Sequence, residues 1–338
     1  MAATKTALNM YDNDTVKWKH DGKMYCLHIQ RDDNPPDPRS DWDNPITTMA
    51  CWHRRYNLGD KIQDKEPEDF WKRLVRENVS EDEVLEAARA GKLPGIRLAK
   101  NAENGELVDI YETYKLMMIV GSTDPEEYLE YEGVAEDAVA GYLMEDLTIN
   151  HCMVLLEPYA EWLPFWLYDH SGITMSCGSR TGQYADQWDS GQVGWIVALK
   201  KTVMEEVGTE YVLDDAGELI RVEYPHEGAP STWGYKTRPL TEETWRKRAV
   251  GIMEADVEVY DQYLTGEVYG FTLYSTEPAD EGEEADWNEE DSCWGFFGSD
   301  VMENGIEDHV GNGFREAVEA GAVERGKAEE HTVTYYTF

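Results

Sequence analysis

The chain has 338 residues and a formal net charge of −39, because 69 acidic side chains outnumber 30 basic ones. A charge of this size repels nucleic acid and anionic membranes, so it disfavours proteins that bind either of them directly. It favours binding to basic protein surfaces, metal cations or salt. The 12 Trp and 20 Tyr residues exclude an acidic disordered chain, and the length suffices for one large domain or two ordinary ones.

The net charge is confined to the last two thirds of the sequence. Residues 1–100 contain 18 acidic and 17 basic side chains, whereas residues 101–338 contain 51 acidic and 13 basic ones, a net charge of −38. Adaptation to high salt also produces acidic surfaces, but we expect it to act on the whole chain. The near-neutral first 100 residues therefore favour a partner-specific role for the charge, and salt adaptation is the alternative.

Two features bear on the cellular compartment. The first ten residues are polar and lack the apolar region of a secretory signal, and no stretch of about 18 apolar residues occurs. The five cysteines are odd in number and widely spaced, which predicts reduced thiols rather than a disulfide framework. The sequence thus predicts a cytoplasmic protein that does not associate with membranes.

The first 100 residues are predicted to contain two strands followed by two helices. Residues 24–30 alternate between polar and apolar side chains, and residues 46–53 form a second strand-like segment. A helix is predicted over 67–76, with proline at its first turn. A second helix begins at the capping box formed by Ser80 and Glu83.

The rest of the chain mixes predicted strands and helices. Three apolar segments are predicted to be buried strands: 152–156, 163–168 and 193–199. The remaining elements are helix 200–207, helix 241–264, strand 267–274, helix 314–320 and strand 332–338. Residues 277–291 hold nine acidic side chains in fifteen positions and are predicted to be a solvated loop.

These elements predict an α+β fold with an antiparallel or mixed sheet and flanking helices. We expect residues 1–60 and 150–338 to form its core. Residues 61–150 are then a helical insertion or subdomain.

Two Cys-x-His pairs on the N-terminal strands suggest a zinc site. The two side chains of each pair share one face of a strand, and if the strands pair, four ligands meet: Cys26, His28, Cys51 and His53. The alternative is that the thiols are buried and the imidazoles form hydrogen bonds within the fold.

Residues 167–175 (LYDHSGITM) place a carboxylate, an imidazole and a hydroxyl where a predicted strand meets a loop. Neighbouring residues of a strand point in opposite directions, so Asp169, His170 and Ser171 are not expected to form a triad. The candidate catalytic residues are nevertheless Asp169, His170 and Asp189.

Four aspartates next to aromatic residues lie at the ends of predicted elements: Asp169, Asp189, Asp261 and Asp291. If they converge, with His170 beside them, they form a divalent-metal site typical of a hydrolase or nuclease. The alternative is four independent turn or cap residues. We expect no other cofactor.

The acid-rich segment supplies the candidate residues for binding a basic partner. They are Asp280, Glu281, Glu283, Glu284, Asp286, Glu289 and Glu290.

Distinctive motifs occur at 42–44 (WDN), 51–60 (CWHRRYNLGD), 167–175 (LYDHSGITM), 188–194 (WDSGQVG), 260–266 (YDQYLTG) and 291–296 (DSCWGF). In this order they resemble a family of uncharacterised proteins carried by bacteriophages and other mobile elements. The resemblance covers roughly residues 40–60 and 150–300. It implies an accessory gene product that acts in the host cytoplasm, and it assigns no catalytic residue.

The sequence leaves three functional hypotheses. The leading one is a non-enzymatic protein that binds a basic host or viral protein. One version of it is a nucleic-acid mimic that blocks a defence protein. A mimic needs carboxylates in a linear band, since DNA carries one charge per ~1.7 Å of duplex. The others are the metal-dependent hydrolase or nuclease and a salt-adapted accessory protein.

Overall fold

The structure, a computed structural model, describes residues 6–43, 45–94, 98–100, 107–109, 143–185, 188–226, 229–277 and 286–328. Helices make up 30% of it and antiparallel sheets 34%, so the predicted α+β fold with flanking helices is confirmed.

Fifteen strands and seven helices are named here in chain order. The strands are β1 (Asp14–His20), β2 (Lys23–Arg31), β3 (Thr47–Cys51), β4 (Leu98–Lys100), β5 (Leu107–Asp109), β6 (Ala160–Asp169), β7 (Ile173–Cys177), β8 (Ser190–Leu199), β9 (Thr209–Tyr211), β10 (Arg221–His226), β11 (Ala229–Tyr235), β12 (Thr237–Pro239), β13 (Val268–Thr276), β14 (Asn288–Phe297) and β15 (Glu324–Lys327). The helices are α1 (Pro67–Asn78), α2 (Glu81–Arg89), α3 (Ile149–Leu156), α4 (Lys200–Glu206), α5 (Thr244–Thr265), α6 (Ile306–Val310) and α7 (Phe314–Glu319).

The chain divides into two compact units. Unit 1 comprises Met1–Pro45, Trp166–Gln192 and Glu254–Phe338, and unit 2 comprises Ile46–Phe165 and Val193–Met253. Elements β6, β8 and α5 each contribute residues to both units. The predicted core of 1–60 with 150–338, and the insertion 61–150, stay a prediction.

A five-stranded antiparallel sheet with the order β14–β13–β2–β1–β15 forms the centre of unit 1. One face carries buried apolar residues from alternate positions, such as Val16 and Trp18 on β1 and Leu27 and Ile29 on β2. Phe314 of α7 packs on Trp18 with the ring centroids 5.0 Å apart. The period-2 pattern of the sequence thus places the core on one side of the sheet.

The core of unit 2 lies between its helices and strands β3 and β8, which pair antiparallel. Trp71 of α1 is fully buried and contacts the rings of Trp162 and Trp195, with centroids 5.4 and 5.8 Å away. Helix α1 also packs against α3. Strands β3 and β8 belong to a four-stranded sheet with the order β3–β8–β6–β7.

The most informative local error of the sequence analysis concerns residues 152–156. They were predicted to be a strand, but they form the end of helix α3. The Thr148 side chain accepts a hydrogen bond from the His151 backbone N–H, and the His151 ring accepts one from the Thr148 backbone N–H. This reciprocal cap starts a helix, and an apolar run too short for a clear period does not reveal it.

Other predictions hold only in part. The predicted solvated loop 277–291 becomes strand β14 from Asn288 onwards. The predicted strand 332–338 lies outside the described residues, as do most of residues 101–142 of the predicted helical insertion. The described part of that insertion contains α1 and α2 together with the short antiparallel pair β4–β5.

Candidate functional site

The segment 167–175 forms the turn between strands β6 and β7. The Asp169 backbone N–H donates to the Asp189 carbonyl at 2.8 Å, and the His170 backbone N–H donates to the Gly172 carbonyl at 3.0 Å. Ser171 adopts a left-handed conformation with φ 60°. The motif is therefore used to build a tight turn beside β8.

His170 and Ser171 are closer than the sequence suggested. Because the chain turns at Ser171, its Oγ lies 3.4 Å from His170 Nδ1, and the imidazole stacks on Tyr168 with centroids 6.1 Å apart. The expectation that these side chains diverge was wrong for this pair, since it assumed an extended backbone. Both residues are exposed, so water competes for this long contact, and the pair lacks the enclosed geometry of an activated nucleophile.

Asp261 lies on helix α5 and binds the backbone of strand β7. Its Oδ1 accepts a hydrogen bond from the Met175 N–H at 2.6 Å. Burial raises the pKa of this carboxyl to about 6; the Met175 hydrogen bond lowers the pKa, whereas the nearby Glu267 and Glu258 raise it further. The side chain joins a helix to a strand, which is a structural use of a buried carboxylate.

The predicted aspartate site is not assembled. Asp291 is exposed on β14, where its Oδ1 accepts a hydrogen bond from the Ser292 N–H, and Asp189 contributes its backbone carbonyl to the β6–β7 turn. Within the described ranges, no group of three or more His, Cys, Asp or Glu side chains is placed to hold a metal ion. The convergence of Asp169, His170, Asp189, Asp261 and Asp291 on one cation is thus not found.

The two strands that carry the predicted zinc ligands do not pair with each other. Strand β2, which carries Cys26 and His28, lies between β1 and β13, whereas β3, which ends at Cys51, pairs with β8. The Nδ1 atom of His53 instead accepts a hydrogen bond from the Tyr56 N–H at 3.3 Å.

The hydrogen-bonded alternative is also incomplete. The Nε2 atom of His28 is buried and has no hydrogen-bond partner among the residues described. Burial lowers the pKa of His28, and the charge of Asp12 partly offsets this. The imidazole is thus favoured in its neutral form.

The five cysteines are free thiols, as predicted, and burial makes four of them poor nucleophiles. Burial raises the pKa of Cys51, Cys152 and Cys177 to about 12 in each case, and it also raises the pKa of Cys26. Because the thiolate is the reactive species, these four side chains are inert near neutral pH.

The motifs at 51–60 and 188–194 serve packing between strands. Asp60 Oδ2 accepts from the Met49 N–H, and the Asp60 N–H donates to the Met49 carbonyl, both at 2.9 Å. Gly194 of β8 is so close to β3 that a Cβ there would lie 1.9 Å from the Ala50 carbonyl oxygen. Glycine at 194 permits the close approach of the two strands.

Part of the predicted acidic binding segment lies on an exposed edge strand. Among the described residues, β14 is at the edge of its sheet, and Glu289, Glu290 and Asp291 are exposed on it. Register shifts opposite Leu273/Tyr274 and Tyr269/Gly270 place two bulges in β14. Charge and bulges both hinder edge-to-edge pairing with another sheet.

The remaining members of that segment give less information. Asp286 precedes β14 and is exposed. Asp280, Glu281, Glu283 and Glu284 lie outside the described residues.

Residues 209–239 form a second candidate surface, which the sequence did not predict. We call it the aromatic ribbon. Its three strand segments are joined by backbone hydrogen bonds: Val212 N–H to Lys236 O at 2.8 Å, Lys236 N–H to Ile220 O at 2.8 Å, and Ile220 N–H to Val212 O at 3.1 Å. Asp214 Oδ1 closes the first turn by accepting from the Ala216 and Glu218 N–H groups. The Asp-Asp-Ala-Gly run at 214–217 was the sequence signal for this turn.

Large apolar side chains of the ribbon are exposed. The exposed fractions are 60% for Tyr211, 55% for Leu213, 59% for Trp233 and 46% for Tyr235. Tyr211 and Tyr235 meet edge to face at 5.9 Å, and the Arg221 guanidinium lies 5.2 Å from the Trp233 ring centroid. These contacts place an aromatic cluster on one face of the ribbon.

Comparisons with models of protein families, with curated proteins and with solved structures found no match. The resemblance to a phage and mobile-element family therefore stays a prediction. In the part of the chain that the structure describes, no helix has the length and apolarity needed to cross a bilayer.

Proposed function

We propose that this protein is a non-enzymatic interaction protein whose acidic surface binds a basic protein, in the setting of a phage or mobile element and in the host cytoplasm. The observation that carries the proposal is the charge balance. If every Lys and Arg paired with one carboxylate, 69 − 30 = 39 carboxylates would still have no cationic partner in the chain. Carboxylates of this kind that are exposed face solvent, counterions or a basic partner.

The acidic end of β14 supports this use of the charge. It presents Glu289, Glu290 and Asp291 from an exposed strand that follows the acid-rich segment. Its bulges disfavour strand addition, so a partner would meet the side chains rather than the free backbone edge. Basic side chains, above all arginine, match such carboxylates with charge-assisted hydrogen bonds.

Mimicry of nucleic acid is the finer form of the proposal. A competitor for a DNA-binding groove presents dense negative charge to the same Lys and Arg residues that bind phosphates. The 51 acidic residues in 101–338 make a high density of negative charge possible. We do not extend the proposal to a hydrolase or nuclease, because Asp261 and Asp291, two of the aspartates considered for that chemistry, accept hydrogen bonds from backbone N–H groups.

The test is capture of host proteins by the tagged chain at about 0.1 M and about 1 M NaCl, followed by displacement with duplex DNA. The proposal expects a basic protein that is retained only at low salt. Mimicry further expects that DNA displaces it. A partner retained equally at both salt concentrations, or no basic partner at all, would contradict the proposal.

A charge-matched pair of variants locates the contact. Glu289→Gln/Glu290→Gln/Asp291→Asn removes three charges from β14, and Glu316→Gln/Glu319→Gln/Glu324→Gln removes three exposed charges elsewhere. Selective loss of capture in the first variant assigns the contact to β14. Equal loss in both variants would show that only the net charge matters.

A further inference from the structure

We infer that the aromatic face of the ribbon is the apolar part of the docking surface, and that its occupant is a protein with an apolar groove rimmed by Lys and Arg. This inference rests on the proposed function for the basic character of the partner. The position of the surface is argued independently, from the exposure and geometry of residues 209–239.

Exposed apolar side chains are concentrated in the ribbon. Of the eleven large hydrophobic residues exposed among the described positions, six lie within these 31 residues: Tyr211, Leu213, Leu219, Tyr224, Trp233 and Tyr235. Single exposed apolar residues are ordinary on a protein surface, but a contiguous group marks an interaction site. Trp, Tyr and Arg are also the residues most enriched at binding hot spots.

Strand register places most of this group on one face. Trp233 pairs with Glu223, and Tyr235 pairs with Arg221, so these four side chains share a face. Tyr211 joins them through its edge contact with Tyr235. Leu213 lies two residues after Tyr211, and Leu219 lies two residues before Arg221. The two leucines form an isolated bridge and extend the same face.

Contacts on the opposite face hold the ribbon in shape. On the opposite face, Tyr224 lies over Gly234, where a Cβ would come within 2.9 Å of the Tyr224 ring. The Tyr224 hydroxyl donates to the Tyr235 carbonyl at 3.1 Å. These contacts fix the backbone beneath the aromatic face, so a partner would order few additional groups on binding.

The charge of the ribbon selects among occupants. Residues 209–239 contain six acidic and three basic side chains. Two of the basic side chains have partners within the ribbon, since Arg221 stacks on Trp233 and Arg238 binds Glu210 at 2.7 Å. A ribbon with exposed apolar side chains and an excess of acidic over basic residues is complementary to an apolar groove rimmed by Lys and Arg. A second copy of this chain, an anionic membrane and nucleic acid are all negatively charged. The acidic ribbon therefore repels them.

The experiment uses the full chain and a displayed library of random peptides as the probe. Selected peptides are synthesised, and their affinities are measured by fluorescence anisotropy for four proteins. These are the wild type, the Trp233→Ser/Tyr235→Ser variant, the β14 charge variant described above, and the control Trp188→Ser/Tyr11→Ser. The control removes a Trp and a Tyr that are 94% and 52% exposed outside the ribbon. Urea unfolding confirms that each variant is folded.

The inference expects peptides that combine Arg or Lys with aromatic or aliphatic residues. Their affinity should fall at least about tenfold in the ribbon variant and less than about twofold in the control. Acidic or purely apolar peptides, or equal affinity for the wild type and the ribbon variant, would overturn it. If basic peptides bind with strong salt dependence but respond only to the β14 variant, the proposed function survives and the ribbon inference fails.

Two further measurements address the excluded occupants. In sedimentation experiments, the wild type and the ribbon variant are expected to have the same oligomeric state. Vesicles of phosphatidylcholine, with and without phosphatidylglycerol, are expected not to bind the protein. A ribbon-dependent dimer or ribbon-dependent vesicle binding would overturn the assignment of a basic protein partner.

Discussion

The β6–β7 hairpin and the aromatic ribbon are both aromatic-rich β-structures, but their side chains are used differently. In the hairpin, the Trp166 indole N–H donates to the Gly178 carbonyl at 2.8 Å, and the Met175 N–H is bound by Asp261. In the ribbon, Trp233 and Tyr235 stay exposed over a backbone fixed from the other side. The comparison teaches that a distinctive motif can reflect the contacts that a turn or strand needs in order to fold. A group of exposed apolar side chains points instead to binding.

The largest effect that would test this contrast is expected at a buried tryptophan. Trp71→Ala removes a ring packed between Trp162 and Trp195 and should reduce the free energy of unfolding by about 4 kcal/mol. Urea denaturation measures it. The control Trp188→Ala, at a side chain that is 94% exposed, should change stability by less than about 0.5 kcal/mol. Similar costs at both positions would break the contrast.

The next largest effect is expected at the close approach of β3 and β8. Gly194→Ala places a Cβ 1.9 Å from the Ala50 carbonyl oxygen, and the strands must separate to accommodate it. We expect a loss of about 3 kcal/mol. Gly191→Ala is the matched control on the same strand, because its Cβ would meet nothing within 4 Å. If both variants unfold at the same urea concentration, the close packing of β8 on β3 does not require glycine at position 194.

Asp261→Asn tests whether the α5 aspartate that binds the β6–β7 hairpin has a structural role. Burial raises the folded-state pKa of Asp261 to about 6, above the ordinary range of an aspartate, so the carboxyl contributes stability at low pH that is lost as pH rises through 6. Asparagine keeps an acceptor for the Met175 N–H and does not ionise. We compare the unfolding free energy of the variant with that of the wild type at each pH. After allowance for the partial exposure of Asp261, this difference should shift in favour of the variant by about 1 kcal/mol between pH 5 and pH 8.

Urea unfolding at the two pH values provides that measurement. Asp291→Asn, which removes an exposed carboxylate of β14, controls for the loss of one negative charge. A stability difference for Asp261→Asn that is the same at both pH values would show that ionisation of Asp261 does not oppose folding.

The smallest effect on stability is expected in the ribbon itself. Trp233→Ser removes a side chain that is 59% exposed and stacked by Arg221, so the cost in unfolding free energy should be below about 1 kcal/mol. Urea unfolding checks this against the expected tenfold loss of peptide affinity. A loss of several kcal/mol would mean that Trp233 belongs to a core, and the ribbon would then resemble the hairpin.

The fold was more predictable than the site. Strand β2 and helices α1, α2 and α5 followed from local periodicity and caps, because each pattern is contained in a short segment. Helix α3 did not, since eight apolar-rich residues fit either element and the Thr148 cap decides between them. The ribbon had clear turn signals, but its exposure cannot be deduced from alternation alone.

The sequence by itself determined the charge, its confinement to residues 101–338, and the α+β class, because these depend on composition and local pattern. Only the tertiary structure decided which strands pair. That decision separated the strand of Cys26 and His28 from the strand of Cys51, directed Asp261 to the backbone of β7, and left Trp233 and Tyr235 uncovered. The physical reason is that convergence and burial depend on contacts between residues distant in the chain, which local spacing does not encode.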